Sequence, residues 1–211
     1  FLGLLLASPV VFAQTSIQVN GQSGQSVSLT CAIDDYTVSH SGIYTDVDFK
    51  DATHVLKAGA PRVKQLTGAL IVDDTREMMV TVNHAVYEEF SDIYMLPSKG
   101  NLLRTIDPAT VPFQEGAVYQ ENAFYPGKLA SLGEAYVQHQ FRGQSIHFYP
   151  VQYNPVTHTL RIYSSIDVTV SPTAELGANP LPTSAMQRTN LPMQEVYRSH
   201  FLNYIENSDR Y

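Results

Sequence analysis

The chain has 211 residues, 44% of them hydrophobic and only 16% charged; this excludes a disordered chain and fits one domain with a sizeable core. Its 13 basic and 20 acidic side chains leave a net charge of −7, which excludes nucleic-acid binding through a basic surface. Thirteen Tyr and nine Phe with no Trp, among many Val, Ile and Thr, favour β structure.

Residues 1–13 carry no charge. They are too few to span a bilayer, which takes about 20 apolar residues, but match the apolar region of a signal peptide. Val11-Phe12-Ala13 offers the small residues a signal peptidase accepts. Cleavage between Ala13 and Gln14 is therefore expected, with export of the mature chain to the cell surface or medium and no membrane contact afterwards. Beginning at Phe1 inside this run and stopping at Arg210-Tyr211, the chain reads as a piece of a longer precursor. Cys31 is the single cysteine. It alternates with Val27, Leu29 and Ile33 on one face of an expected strand, as a buried small hydrophobe. A nucleophile paired with a histidine is the other reading, but no basic cluster or helix start adjoins Cys31 to lower its pKa.

Further period-2 segments follow: Met78, Val80 and Val82; Ile146 and Phe148; Leu160 and Ile162; Ile166, Val168 and Val170. Asn154-Pro155-Val156-Thr157-His158 reads as a hairpin connection, and Ala58-Gly59-Ala60-Pro61 and Tyr125-Pro126-Gly127 as turns. Residues 97–127 should be mostly loop, of a length that tends to be functional in a compact domain. Many short strands without a long helix imply an all-β fold, an antiparallel, jelly-roll-like β-sandwich over 14–170. Residues 171–192, with Pro172, Pro180, Pro182 and Pro192, have linker composition. Met193, Val196, Tyr197, His200, Phe201 and Tyr204 fall at helical spacing, predicting a short amphipathic helix over 193–205 that delivers a polar tip ending at Arg210.

No metal site is expected, because the seven histidines show no short-spaced pairing and Asp34-Asp35 and Asp73-Asp74 lack the ligand spacing of a calcium loop. Nucleotide, dinucleotide and Gly-x-Ser-x-Gly motifs are missing too. The chain reads as non-catalytic and free of cofactors.

Several segments resemble the N-terminal prodomain of gingipain-type cysteine peptidases, most nearly the arginine-specific members. They are Leu96-Pro97-Ser98-Lys99-Gly100, Phe124-Tyr125-Pro126-Gly127, Arg142-Gly143-Gln144, Pro150-Val151-Gln152-Tyr153-Asn154-Pro155-Val156-Thr157 and Thr159-Leu160-Arg161-Ile162-Tyr163. Weaker similarity extends back to Ala58-Gly59-Ala60-Pro61 and forward to Tyr197, Phe201 and Asn203-Tyr204, while 14–57 departs most. The resemblance implies a β-sandwich that keeps a caspase-like cysteine peptidase latent in cis and assists its folding. No residue here matches the family's catalytic His and Cys. An independent secreted sandwich binding carbohydrate or a surface partner is the competing reading.

An intramolecular inhibitor must occupy the cleft and be removable. For an arginine-specific peptidase it should present an arginine on a loop, because an acidic pocket grips a planar guanidinium. Arg104, the only arginine between Arg76 and Arg142, is similar in position to the family's pocket-filling arginine. Leu102 and Leu103 would fill neighbouring subsites, Thr105 would follow the arginine, and Asp107-Pro108 would stiffen the loop. Removal is expected between Arg210 and Tyr211, where the peptidase would begin at 211, with Arg188 as an alternative.

Overall fold

The computed structural model describes residues 16–182 and 193–208. Eleven strands, β1 (Ser16–Ser23), β2 (Ser26–Ala32), β3 (Thr37–Ser41), β4 (Tyr44–Asp48), β5 (Thr53–His54), β6 (Lys64–Ile71), β7 (Arg76–Phe90), β8 (Ala130–Gln138), β9 (Phe141–Phe148), β10 (Val151–Asn154) and β11 (Thr159–Leu176), precede helices α1 (Gln194–His200) and α2 (Tyr204–Asn207). All strand pairing within the sheets is antiparallel. The expected all-β architecture with a short C-terminal helical piece is what the chain adopts.

The first sheet is organised around β11. One of its edges pairs along its length with β7, and the other is shared by β10, over residues 159–162, and β2, over 165–170, with β1 outermost. The second sheet runs β5-β6-β9-β8, and β3-β4 is a separate hairpin. Alternation puts Val27, Leu29 and Cys31 of β2 and Ile166, Val168 and Val170 of β11 into one core with Leu66 and Leu70 of β6 and Ile146 and Phe148 of β9. Burying each such side chain contributes roughly 1.5–3 kcal/mol.

Two local expectations are corrected and one is refined. The strand expected to end at 170 continues to Leu176, because β7 keeps supplying partners to that point; the linker composition therefore starts later than 171. Met78, Val80 and Val82 share a face as expected, but Val82 is 40% exposed because β7 is the outermost strand. The single helix over 193–205 is two, broken where Phe201 turns extended (φ −100°, ψ 126°).

That break has a specific cause. Phe201 forms a parallel bridge to Ala69, and the Leu202 N–H donates to the Ala69 carbonyl at 2.9 Å. The side-chain amide of Asn203 then stands in for a peptide group. Its Oδ1 accepts from the Ile71 N–H at 2.8 Å and its Nδ2 donates to the Ile71 carbonyl at 2.9 Å. Phe201, Tyr197 and Tyr204 pack around Phe141 with Ala69 and Ile71, a second core beside the first. Gln22 of β1 ties in both Asn203 and Asn207.

Arg142 of β9 is fully buried, 1% exposed. Its guanidinium donates to the carbonyls of Asp73 (2.6 Å), Arg76 (2.9 Å), Ala178 (2.8 Å) and Asn179 (3.0 Å). It joins the β6–β7 turn to the chain leaving β11. Burial pulls its pKa down and the nearby Asp73 and Asp74 oppose that. Gly177 is required there, since an added Cβ would lie 2.5 Å from Arg142 Nη2. Lysine cannot reproduce this planar fan of donors. Arg142→Lys should lower unfolding free energy by about 2–4 kcal/mol, read as a lower urea midpoint with an unchanged slope.

Candidate functional site

The long segment between β7 and β8 is pinned at both ends to the turn at Gly59. The Ser98 N–H donates to the Ala60 carbonyl (2.8 Å), the Gly59 N–H to the Ser98 carbonyl (2.9 Å), and the Gly116 N–H to the Gly59 carbonyl (2.7 Å). Gly59 has φ +73°, and a Cβ on it would meet the Gly116 backbone at 3.1 Å. Two glycines therefore let the loop stems close against one another.

Between these stems the chain projects outward. Leu103, Arg104, Thr105, Ile106, Asp107 and Pro108 are all exposed, Leu103 by 70%. The Ile106 N–H donates to the Leu103 carbonyl at 3.0 Å, making a turn with Arg104 and Thr105 at its corners. Asp107 caps the following 3-10 turn, Pro108–Thr110, by accepting from the Ala109 N–H at 2.9 Å. Lys99 crosses from the other arm: its ammonium donates to the Pro108 carbonyl at 2.6 Å and lies 4.1 Å from the centre of the Phe113 ring. Phe113 in turn packs on Tyr44, whose hydroxyl donates to Glu115. Among the described residues Arg104 itself makes no hydrogen bond or ion pair.

Leu102 and Leu103 face different ways. Leu102 is half-buried and lines a cleft of about 400 Å³ with Leu56, Arg62 and Phe113, whereas Leu103 points into solvent. Lys99 was not singled out by sequence reasoning as a site residue; its position in Leu96-Pro97-Ser98-Lys99-Gly100 carried no sign of which atoms it would reach. Ala13, Gln14, Arg188, Arg210 and Tyr211 lie outside the described residues.

Other chemistry is poorly served. His147 has Ser145 on Nε2 (3.2 Å) and Thr67 on Nδ1 (3.0 Å), a chain without a carboxylate to orient it. Burial, then Lys128, pulls its pKa down. Asp73 spends Oδ1 on the Thr75 and Arg76 N–H groups, a turn rather than a metal ligand set. Among the described residues no three His, Cys, Asp or Glu side chains converge on a metal position, and no helix is long and apolar enough to cross a membrane.

The Propeptide_C25 family model matches residues 17–210. The chain belongs to that family. It is 38% identical over 156 residues, 74% of its length, to gingipain R1 and gingipain R2 of Porphyromonas gingivalis. It spans only 15% of that gingipain R1 and 21% of gingipain R2. Among solved structures it is similar to the complex of P. gingivalis RgpB pro- and mature domains, with a TM-score of 0.83 and 32% identity over 90% of this chain and 97% of that one. The structure describing zymogenic latency of gingipain K shares the fold, with a TM-score of 0.61 at 18% identity, over 80% of this chain and 97% of that one. This chain is thus a propeptide domain of the gingipain type.

Membership also explains the motif segments that carried the resemblance. Gln152 accepts from the Gly127 N–H and donates to the carbonyls of Lys128 and Tyr149; Tyr153 donates to the Ile93 carbonyl at 2.8 Å. These are scaffold contacts. Asn154 Oδ1 accepts from the Val156 and Thr157 N–H groups, shaping the β10–β11 hairpin. Cys31 is likewise structural: 1% exposed, its thiol is pushed by burial from 9.0 up to about 12. The folded protein keeps this proton where the unfolded chain releases it, so stability should fall as pH rises above about 9. At pH 8 a thiol reagent should leave native Cys31 unmodified and label it fully in denaturant.

Proposed function

We propose that this chain is the latency domain of an arginine-specific gingipain-type cysteine peptidase, acting in cis and presenting Arg104 to the peptidase's specificity pocket. One observation carries the reading: the turn Leu103–Ile106 holds an unpaired, exposed arginine at the tip of a loop braced on both sides. Pre-bracing matters because a loop already in its bound shape loses little conformational freedom on docking. Leu103 and Thr105 flank the arginine and contact the cleft beside the pocket, with Asp107 and Pro108 supporting the turn from behind.

Tethering supplies the rest. A covalently attached inhibitor works at an effective concentration near millimolar for a short linker, so a modest intrinsic affinity keeps the cleft closed. Cutting the tether removes that advantage. Arg210-Tyr211 is the proposed boundary, cut by the peptidase itself, and Arg188 is a second site. Residues 1–13 direct export, with Ala13-Gln14 as the signal cleavage point, and the domain serves as a folding template for the peptidase during secretion. The net charge of −7 suits a partner with a basic rim.

Arg104→Ala in the purified chain should weaken inhibition of an arginine-specific gingipain-type peptidase at least tenfold, while Arg104→Lys retains part of it. Inhibition unchanged by Arg104→Ala would refute the loop assignment. Sequencing the amino terminus of the processed peptidase should give Tyr211 first; any other start places the boundary elsewhere.

A further inference from the structure

An arginine presented to an arginine-specific peptidase is by chemistry a substrate. What separates an inhibitor from a substrate is the fate of the Arg104–Thr105 bond. The peptidase thiolate adds to the Arg104 carbonyl carbon, the bond to the Thr105 nitrogen breaks, and that nitrogen takes up a proton and leaves as an amine. The resulting thioester has two exits. Water releases a carboxylate and the thiolate, completing the cut. Alternatively the same amine returns, gives up the proton, reforms the peptide bond and frees the thiolate. The second exit wins when the Thr105 side cannot drift away.

We propose that Lys99 is the positioning residue that keeps the Thr105 side in place, and so makes the Arg104 turn an inhibitor. The proposal rests on the reading of Arg104 given above and assigns the control of its cleavage. Lys99 precedes the bond, whereas both of its contacts follow it: the Pro108 carbonyl at 2.6 Å and the Phe113 ring at 4.1 Å. The lysine therefore straddles the scissile bond and links the two halves that cleavage would make. Neither contact involves an atom of Arg104 or Thr105, so both persist after the bond opens.

Its surroundings aim it there. Gly100, at φ +74°, turns the chain sharply after Lys99, and the Gly100 N–H donates to Ser98 Oγ at 3.1 Å. An added Cβ at Gly100 would lie 2.9 Å from Ala58 Cβ, so the turn is fixed against the same segment that pins both stems. On the far side the Asp107 cap orients the Pro108 carbonyl, with the Thr110 N–H donating to the Asp107 carbonyl at 3.0 Å. The Leu103–Ile106 hydrogen bond also spans the scissile bond, but it belongs to the reacting turn itself. Tyr44, through Phe113 and Glu115, and Tyr119, through the Met95 carbonyl, join the two halves farther from the turn, whereas Lys99 reaches Pro108 beside it.

The test uses the 211-residue chain carrying Lys99→Met, which keeps an unbranched stem over Phe113 but loses the charge and the donor, and Lys99→Arg, which keeps both. Each is mixed with an arginine-specific gingipain-type peptidase. Scission at Arg104–Thr105 is followed by mass spectrometry, beside the initial inhibition and its duration. Initial inhibition by Lys99→Met should weaken less than by Arg104→Ala, while its scission runs at least fivefold faster and inhibition lapses as the chain is cut. Lys99→Arg should restore most of the protection. Independently of any peptidase, amide exchange at Ile106 should quicken in Lys99→Met. Wild-type rates of scission and exchange in Lys99→Met overturn the assignment even if Arg104→Ala abolishes inhibition. Full inhibition by Arg104→Ala instead overturns the underlying reading, whatever Lys99→Met does.

Discussion

An eighteen-residue strand exposes more backbone hydrogen-bonding groups than one neighbour can satisfy, and β11 makes that constraint the organiser of the domain. Its one edge takes β7; its other edge is divided between β10 and β2. The inward residues Ile166, Val168 and Val170 then give the second sheet something to cover. Because β10 enters through a tight hairpin, Gln152 and Tyr153 are delivered where they fasten the 126–129 and 93–95 segments. Those segments flank the long loop, so the position of Arg104 traces back to the register of β11.

Two arginines show how one side chain serves opposite ends. Arg142 spends its donors on backbone carbonyls in the interior, where losing any of them leaves a buried polar group unmet. Arg104 spends none within the described residues and stands in solvent. A fully engaged guanidinium holds the fold; an unengaged one on a braced turn is available to another molecule. The same contrast separates the motif residues Gln152 and Tyr153, which face the scaffold, from the turn at 103–106, which faces outward.

Period-2 alternation revealed the strands because one face of each sheet is buried, and the Asn154–His158 connection was legible because Asn and Pro there suit a turn and little else. Three things stayed hidden. The break of the C-terminal helix at Phe201 depends on the edge of β6, which is distant in sequence and leaves the helical spacing of Tyr197, Phe201 and Tyr204 intact. Leu102 and Leu103 are identical neighbours, and only the cleft at Leu56 and Arg62 decides which turns inward. Lys99 looks like any surface lysine until Pro108 and Phe113 are brought round to it. Arg104 was singled out through resemblance to a family, since a lone loop arginine carries no physical signature of its own.

The amide of Asn203 imitates a peptide unit at the open margin of β6, and Gln22 grips it from the opposite sheet. Among the described residues, the α1–α2 unit is thus held by contacts to β6 and β1. A polypeptide severed ahead of α1 would keep these contacts and its last turns seated, like a brooch whose chain has snapped but whose pin is still through the cloth. Release of α1–α2 from the domain after such a cut would therefore demand a second event, the prising of Asn203 from Ile71.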